Sequence, residues 1–180
     1  MATAEPWQTA EVCGPKKAMV ITKPEVVAAM IKQAKRPILV VGHRAAEIEL
    51  GDKKLIDYVI ELAEKARIPI VATAHIVGEF LKRGCQPASW MPAVDIGNRL
   101  VDPDWCGFDG KGQYDLALFV GLPYYMEWTI LNGVKHFAPT LKTVTLDNVY
   151  QPNANWSLSN IALKNWTEDL RGLIEKVGGK

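Results

Sequence analysis

The sequence predicts an α/β protein, a three-layer α/β/α sandwich on a mostly parallel sheet. Two observations carry that reading. Short unbroken apolar runs recur: Ile38-Leu39-Val40-Val41, Ile68-Pro69-Ile70-Val71-Ala72 and Leu116-Ala117-Leu118-Phe119-Val120. A strand buried on both faces has no polar side to show, so it lacks the alternation of a half-exposed strand. Between these runs lie segments whose apolar residues repeat every three to four positions, as a helix with one buried face requires. Strands alternating with helices are joined by crossovers, and parallel crossovers are right-handed in nearly all cases.

Taken in order, residues 1–21 read as an N-terminal arm with Pro6, Gly14 and Pro15, and residues 22–180 as one domain. Thr22-x-x-Glu25 fits a capping box, opening a helix to about Lys35 with Val27, Met30, Ile31 and Ala34 on one side. A strand over 38–42 follows, then a helix over 52–67 and a strand over 68–73, with Pro69 at its start, where a missing N–H does least harm. A short helix over 75–83 ends at Gly84, and another spans 92–100. Residues 101–113 are a loop crowded with Asp, Gly and Pro. Next come a strand over 115–121, a helix over 124–137 and a strand over 141–147. Residues 148–160 are rich in Asn, Pro and Ser. A short strand over 161–164 precedes a closing helix capped by Asn165-x-x-Glu168.

Composition narrows the function. With 180 residues the chain can bury a core without disulfides or metal. Its 21 basic residues are matched by 20 acidic ones, so it lacks the excess that neutralises nucleic-acid phosphates. Cys13, Cys85 and Cys106 are odd in number and widely spaced. They cannot supply the four ligands of a structural zinc or an iron–sulfur cluster, and they suit free thiols in a reducing cytoplasm. No apolar run approaches a membrane span, and the N-terminus does not read as a signal peptide.

In open parallel sheets, ligands bind beyond the carboxyl ends of the strands, where the strand order reverses. Those ends carry Gly42-His43, Thr73-Ala74, Gly121-Leu122-Pro123 and Asp147. Glycines there let backbone amides approach a phosphate, and Asp147 could accept from ribose hydroxyls. The same residues also make ordinary turns and caps. No G-x-G-x-x-G or P-loop motif is present, so the nucleotide reading rests on fold alone.

Other constellations are weaker. His75 and Glu79 stand four apart on an expected helix, as an acid–base or metal pair or as a surface pair. Asp102, Asp104 and Asp109 crowd one loop, but Gln113 stands where a calcium loop needs its last acidic ligand. Trp7, Trp90, Trp105 and Trp156 fall in arms or loops, and either dock a partner or pin those segments to the core.

The runs 34–42, 68–73 and 115–121 resemble the central domain of thiamine-diphosphate enzymes, a Rossmann-like fold that holds FAD, NAD or ADP in several relatives. The thiamine-binding Gly-Asp-Gly motif is missing. Chain length, the N-terminal arm and the segment 146–160, with Pro152-Asn153-Ala154-x-x-Ser157, resemble more narrowly the epsilon-subunit family of archaeal carbon monoxide dehydrogenase/acetyl-CoA decarbonylase-synthase complexes. That resemblance implies an accessory, non-catalytic subunit bound to a large alpha subunit as alpha2epsilon2, with the metal centres on alpha. It further implies a role in stabilising alpha or in assisting electron transfer to a flavin, FAD being the cofactor of first choice. The alternative is a free-standing FAD- or NAD-binding oxidoreductase.

Overall fold

In a computed structural model describing residues 5–178, seven strands form one all-parallel sheet. In chain order the strands are β1 (Met19–Ile21), β2 (Pro37–Val41), the ribbon strands β3 (Glu49–Leu50) and β4 (Lys53–Lys54), β5 (Ile70–Thr73), β6 (Ser89–Met91), β7 (Leu116–Val120), β8 (Lys142–Thr145) and β9 (Trp156–Leu158). β3 and β4 pair antiparallel outside the main sheet, whose order is β1-β9-β8-β7-β2-β5-β6. The helices are α1 (Pro24–Gln33), α2 (Leu55–Ala66), α3 (Val77–Lys82), α4 (Ala93–Val101), α5 (Tyr124–Phe137) and α6 (Leu163–Gly178).

The central strands alternate between two cores. Ile38 and Val40 of β2 join Ala117, Phe119 and Val71 under α4 and α5. Leu39 and Val41 face the other way with Leu118, Val120 and Ala72, beneath α1, α2 and α6. Ile38 and Leu39 are both 0% exposed, and burying each such side chain stabilises the fold by roughly 1.5–3 kcal/mol. From β2 the chain steps outward to β5 and β6, then returns to the other flank of β2 and continues through β7 and β8 to β9. Helices change face where that direction reverses, as right-handed connections demand.

Several expected boundaries move. The arm contributes β1, which pairs with β9. Thr22 does not cap α1: Lys23 occupies the cap, and Pro24 takes the first helical position, where its missing N–H is no loss. β6 and β9 lie in segments expected to be loop, and residues 161–164 lead into α6 instead of forming a strand. α6 therefore starts before Asn165, which sits inside the helix. In α5, Gly133 occupies the helix interior, where glycine costs about 0.5–1 kcal/mol relative to alanine. Among the described residues, no helix is long and apolar enough to cross a membrane.

The segment 146–160 is held by a dense set of side-chain hydrogen bonds. The Asn155 carboxamide oxygen accepts from the Thr143 amide at 2.7 Å and its hydroxyl at 3.0 Å. The buried Ser157 hydroxyl accepts from Thr145 Oγ1 and the Gln151 amide, both at 2.9 Å, and donates to the Leu158 carbonyl. Tyr150 donates to the Ala18 carbonyl at 2.6 Å, and Lys135 Nζ donates to the Cys13 and Lys16 carbonyls, fastening the N-terminal segment. The β8–β9 connection contains no helix of its own, and bonds such as those to Asn155 and Ser157 help satisfy its polar groups.

Candidate functional site

The strand order reverses between β2 and β7, so the switch point lies at Gly42 and Gly121. The two glycines pack backbone to backbone: a Cβ on Gly42 would stand 2.2 Å from the Gly121 carbonyl oxygen. Gly121 also has φ +73°, a region that favours glycine. Its amide donates to both carboxylate oxygens of Asp147, at 2.9 and 3.0 Å. The Arg44 amide donates to the Gly121 carbonyl at 3.0 Å, and the Ala45 amide to the Gly42 carbonyl at 3.1 Å. After Gly42 the chain enters a short 3₁₀ turn, His43–Ala46, in place of an α-helix N-terminus. These amides, which sequence alone offers to a phosphate, are engaged within the chain.

Beside them lies a buried carboxyl pair. Glu127, 2% exposed, projects from the first turn of α5 toward Asp147, which keeps some surface at the rim of a cavity of about 50 Å³. Burial, and then the charge of Asp147, push the Glu127 carboxyl well above the usual range. Burial likewise pushes Asp147 up to about 6, against the opposing influence of the Gly121 amide, the hydrogen bond to Glu127 and the charge of Arg44. The two carboxyls therefore share a proton, and the Gly121 amide favours the negative charge on Asp147. Glu127 Oε1 has no partner among the described residues.

The open part of the crevice is displaced toward β5 and β6. There His43, Thr73, Ala74, His75, Ala93 and Met126 line a cavity of about 520 Å³. The imidazole rings of His43 and His75 stand edge to face, 6.3 Å between centroids. Thr73 is buried, and its hydroxyl has no partner among the described residues. The first turn of α4 forms one wall, bringing the partial positive charge of a helix N-terminus to the cavity.

The eight residues expected at the site all lie along this carboxyl edge, in two groups. His43, Thr73 and Ala74 line the larger cavity. Gly121, Leu122 and Asp147 border the smaller one, with Gly42 packed between and the carbonyl of Pro123 accepting from the Glu127 amide at 3.0 Å. Sequence reasoning missed Glu127. Its signal was a lone carboxylate in register with the apolar Ile130, Leu131 and Val134 of α5.

His75 and Glu79 do not act together, because 74–76 is a 3₁₀ turn and the α-helical spacing fails. Glu79 instead binds Lys82 at 2.7 Å and Arg83 at 2.8 Å, and Arg83 also binds Asp57 at 2.6 Å. The acidic loop is likewise structural: Arg36 holds Asp109 at 2.6 Å, while Asp102 accepts from the Asp104 amide. No group of three or more His, Cys, Asp or Glu among the described residues could hold a metal ion. Of the four tryptophans expected in arms or loops, Trp90 and Trp156 lie in β6 and β9; Trp7 and Trp90 are exposed, whereas Trp105 packs on Phe108 and Tyr114, and Trp156 packs against the core.

A doubly wound parallel sheet with a ligand-sized crevice at its carboxyl edge makes this a Rossmann-like domain. The chain belongs, more narrowly, to the family described as CO dehydrogenase beta subunit/acetyl-CoA synthase epsilon subunit, whose profile matches residues 1–174. It is 37% identical over 161 residues to the acetyl-CoA decarbonylase/synthase complex subunit epsilon of Methanothermobacter thermautotrophicus, covering 89% of each chain. It is 40% identical over 161 residues to subunit epsilon 1 of Archaeoglobus fulgidus, covering 88% of this chain and 83% of that one. With the epsilon subunit of Methanothrix soehngenii the identity is 36% over 173 residues, covering 96% and 88%.

Proposed function

We propose that the chain is an accessory subunit of an acetyl-CoA decarbonylase/synthase complex, holding the large alpha subunit in an alpha2epsilon2 assembly. The observation behind this reading is the pairing of family membership with a sheet whose switch point is closed by the chain's own groups. Gly42, Gly121 and Asp147 are committed to one another, so the polar machinery there serves rigidity. A rigid scaffold suits a subunit whose task is to brace another. Sedimentation of the chain mixed with the alpha subunit tests it. A species with the mass of alpha2epsilon2 is expected; a chain that sediments alone beside alpha would overturn the assignment.

The larger cavity extends this reading to electron transfer. A flavin such as FAD fits its donor set: the buried Thr73 hydroxyl lacks a partner, and the first turn of α4 favours an anionic phosphate. His43 and Ala74 would form its walls, while Gly42, Gly121, Leu122, Pro123 and Asp147 lie outside this cavity and would hold the neighbouring strand ends in place. Bound flavin would supply the electron-accepting ring, and the chain would orient it and exclude water. Titrating FAD fluorescence with the alpha–epsilon assembly tests this. Saturable quenching weakened in Thr73→Val is expected, and quenching equal to that of alpha alone would remove the flavin role.

A further inference from the structure

Three unused hydrogen-bond donors meet at one corner of the larger crevice. Thr73 ends β5 in register with Met91, the last residue of β6, and α4 begins two residues later at Ala93. Neighbouring strands lie about 4.8 Å apart, so Thr73 and the first turn of α4 share a wall of the cavity. In that turn the Pro92 carbonyl accepts from the Asp95 amide at 3.0 Å and the Ile96 amide at 3.2 Å. The Ala93 and Val94 amides make no hydrogen bond among the described residues, because the first positions of a helix have no carbonyl behind them. The Thr73 hydroxyl is the third donor. Of the buried side-chain atoms without a partner among the described residues, it is the only hydroxyl, and an acceptor on a ligand would remove the cost of burying it unpaired.

Free amides alone do not single out this helix. α5 opens at the same edge, but its first turn carries Glu127 and faces Asp147, whose shared negative charge repels an anion. The switch-point amides of Gly121, Arg44 and Ala45 are engaged within the chain. Along this edge, free amides, an unpaired buried hydroxyl and a cavity of about 520 Å³ coincide at α4.

Charge limits what the corner can hold. No Lys or Arg is among the residues lining the cavity, whereas Glu47 is, 3.9 Å from His43 Nε2. Asp95 stands in the first turn of α4 itself. Amide and hydroxyl donors, with the partial charge of a helix terminus, suit one negative charge. The second charge of a terminal phosphate would meet Glu47 and Asp95 with no lysine or arginine in the lining to offset it.

We infer that the α4 corner binds a bridging phosphate bearing a single negative charge, so that the crevice takes the diphosphate bridge of a dinucleotide in preference to the terminal phosphate of ADP or FMN. The inference deepens the nucleotide reading of this cavity and rests on it.

Isothermal titration of the full chain at pH 8 and low salt, with and without alpha bound and with alpha alone as blank, tests it. ADP-ribose and ADP share an adenosine and a diphosphate and differ in whether the second phosphate is capped; FAD and FMN repeat the comparison with a flavin. ADP-ribose is expected to bind about tenfold or more tighter than ADP, and FAD than FMN, and Glu47→Gln to narrow both gaps. Thr73→Val is expected to weaken FAD and ADP-ribose alike, about tenfold. It should melt no lower than wild type, since the hydroxyl holds nothing among the described residues. Equal affinity for capped and terminal phosphates, or a Thr73→Val loss confined to FAD, would overturn the inference and leave the flavin reading standing. ADP-ribose bound with FAD silent would remove the flavin and keep the bridging-phosphate site, and silence of all four ligands would remove both. Glu47→Gln carries the test should Thr73→Val unfold.

Discussion

The Gly42 Cα and the Gly121 carbonyl oxygen lie so close that a single added methyl on Gly42 would sit 2.2 Å from that oxygen. The obstacle is backbone, which cannot rotate aside as a side chain would. Gly42→Ala is therefore expected to lower stability by about 3 kcal/mol or more, beyond usual core overpacking. Urea denaturation followed by circular dichroism would measure it. An unchanged midpoint would mean that the two strand ends are held less tightly than described.

The Glu127–Asp147 pair makes stability depend on pH. Both carboxyls titrate above their ordinary range in the folded chain, so the folded state keeps protons that the unfolded state has released. Their contribution is complete below the ordinary carboxylate range. It is lost as pH rises, through about 6 for Asp147 and further up for Glu127. Glu127→Gln keeps the shape and a donor without the titration. Wild type is expected to lose roughly 1–3 kcal/mol relative to this variant between pH 5 and pH 8, and parallel pH profiles would refute the shared proton.

Ser157→Ala should be costly for so small a change. It removes the acceptor of two hydrogen bonds in a place water does not reach, orphaning the Gln151 amide and the Thr145 hydroxyl. A loss of roughly 2–3 kcal/mol is expected from thermal melting. Ser157→Cys should recover only part of it, since sulfur accepts weakly.

Arg36 grips the loop 102–113 through Asp109 and the carbonyls of Gly112 and Gln113. Its side-chain hydrogen bond holds the Asp109 carboxyl down at about 2, so the contact persists at any pH above the usual carboxylate range and fails only as pH falls through about 2. Arg36→Ala is expected to leave the fold intact yet speed cleavage within this loop by a protease that cuts after Asp. Equal cleavage rates would show that Trp105, Phe108 and Tyr114 pin the loop unaided.

How far the sequence could be read depended on burial. β2, β5 and β7 stood out because both faces are covered, leaving runs such as Leu116–Val120 with no polar interruption. α5 was legible at both ends. β1, β6 and β9 were not, since three residues such as Ser89-Trp90-Met91 carry too little periodicity to separate from a loop. At the site, Gly121 and Asp147 could be placed at strand ends, but their direct hydrogen bond depends on how β7 and β8 lie side by side. Glu127 was marked only by its register with Ile130, Leu131 and Val134, and that spacing does not by itself separate a buried glutamate from one at the edge of the apolar face.

The pairing of β1 with β9 has a consequence for how the chain is made. Synthesis releases Met19–Ile21 well before Trp156–Leu158, the neighbour they must zip against. Until then this edge has nowhere to dock, and the growing chain carries an unmatched hydrogen-bonding segment. Contacts so far apart in sequence slow closure of the final fold. A truncation that removes β9 would thus cost the sheet two strands rather than one.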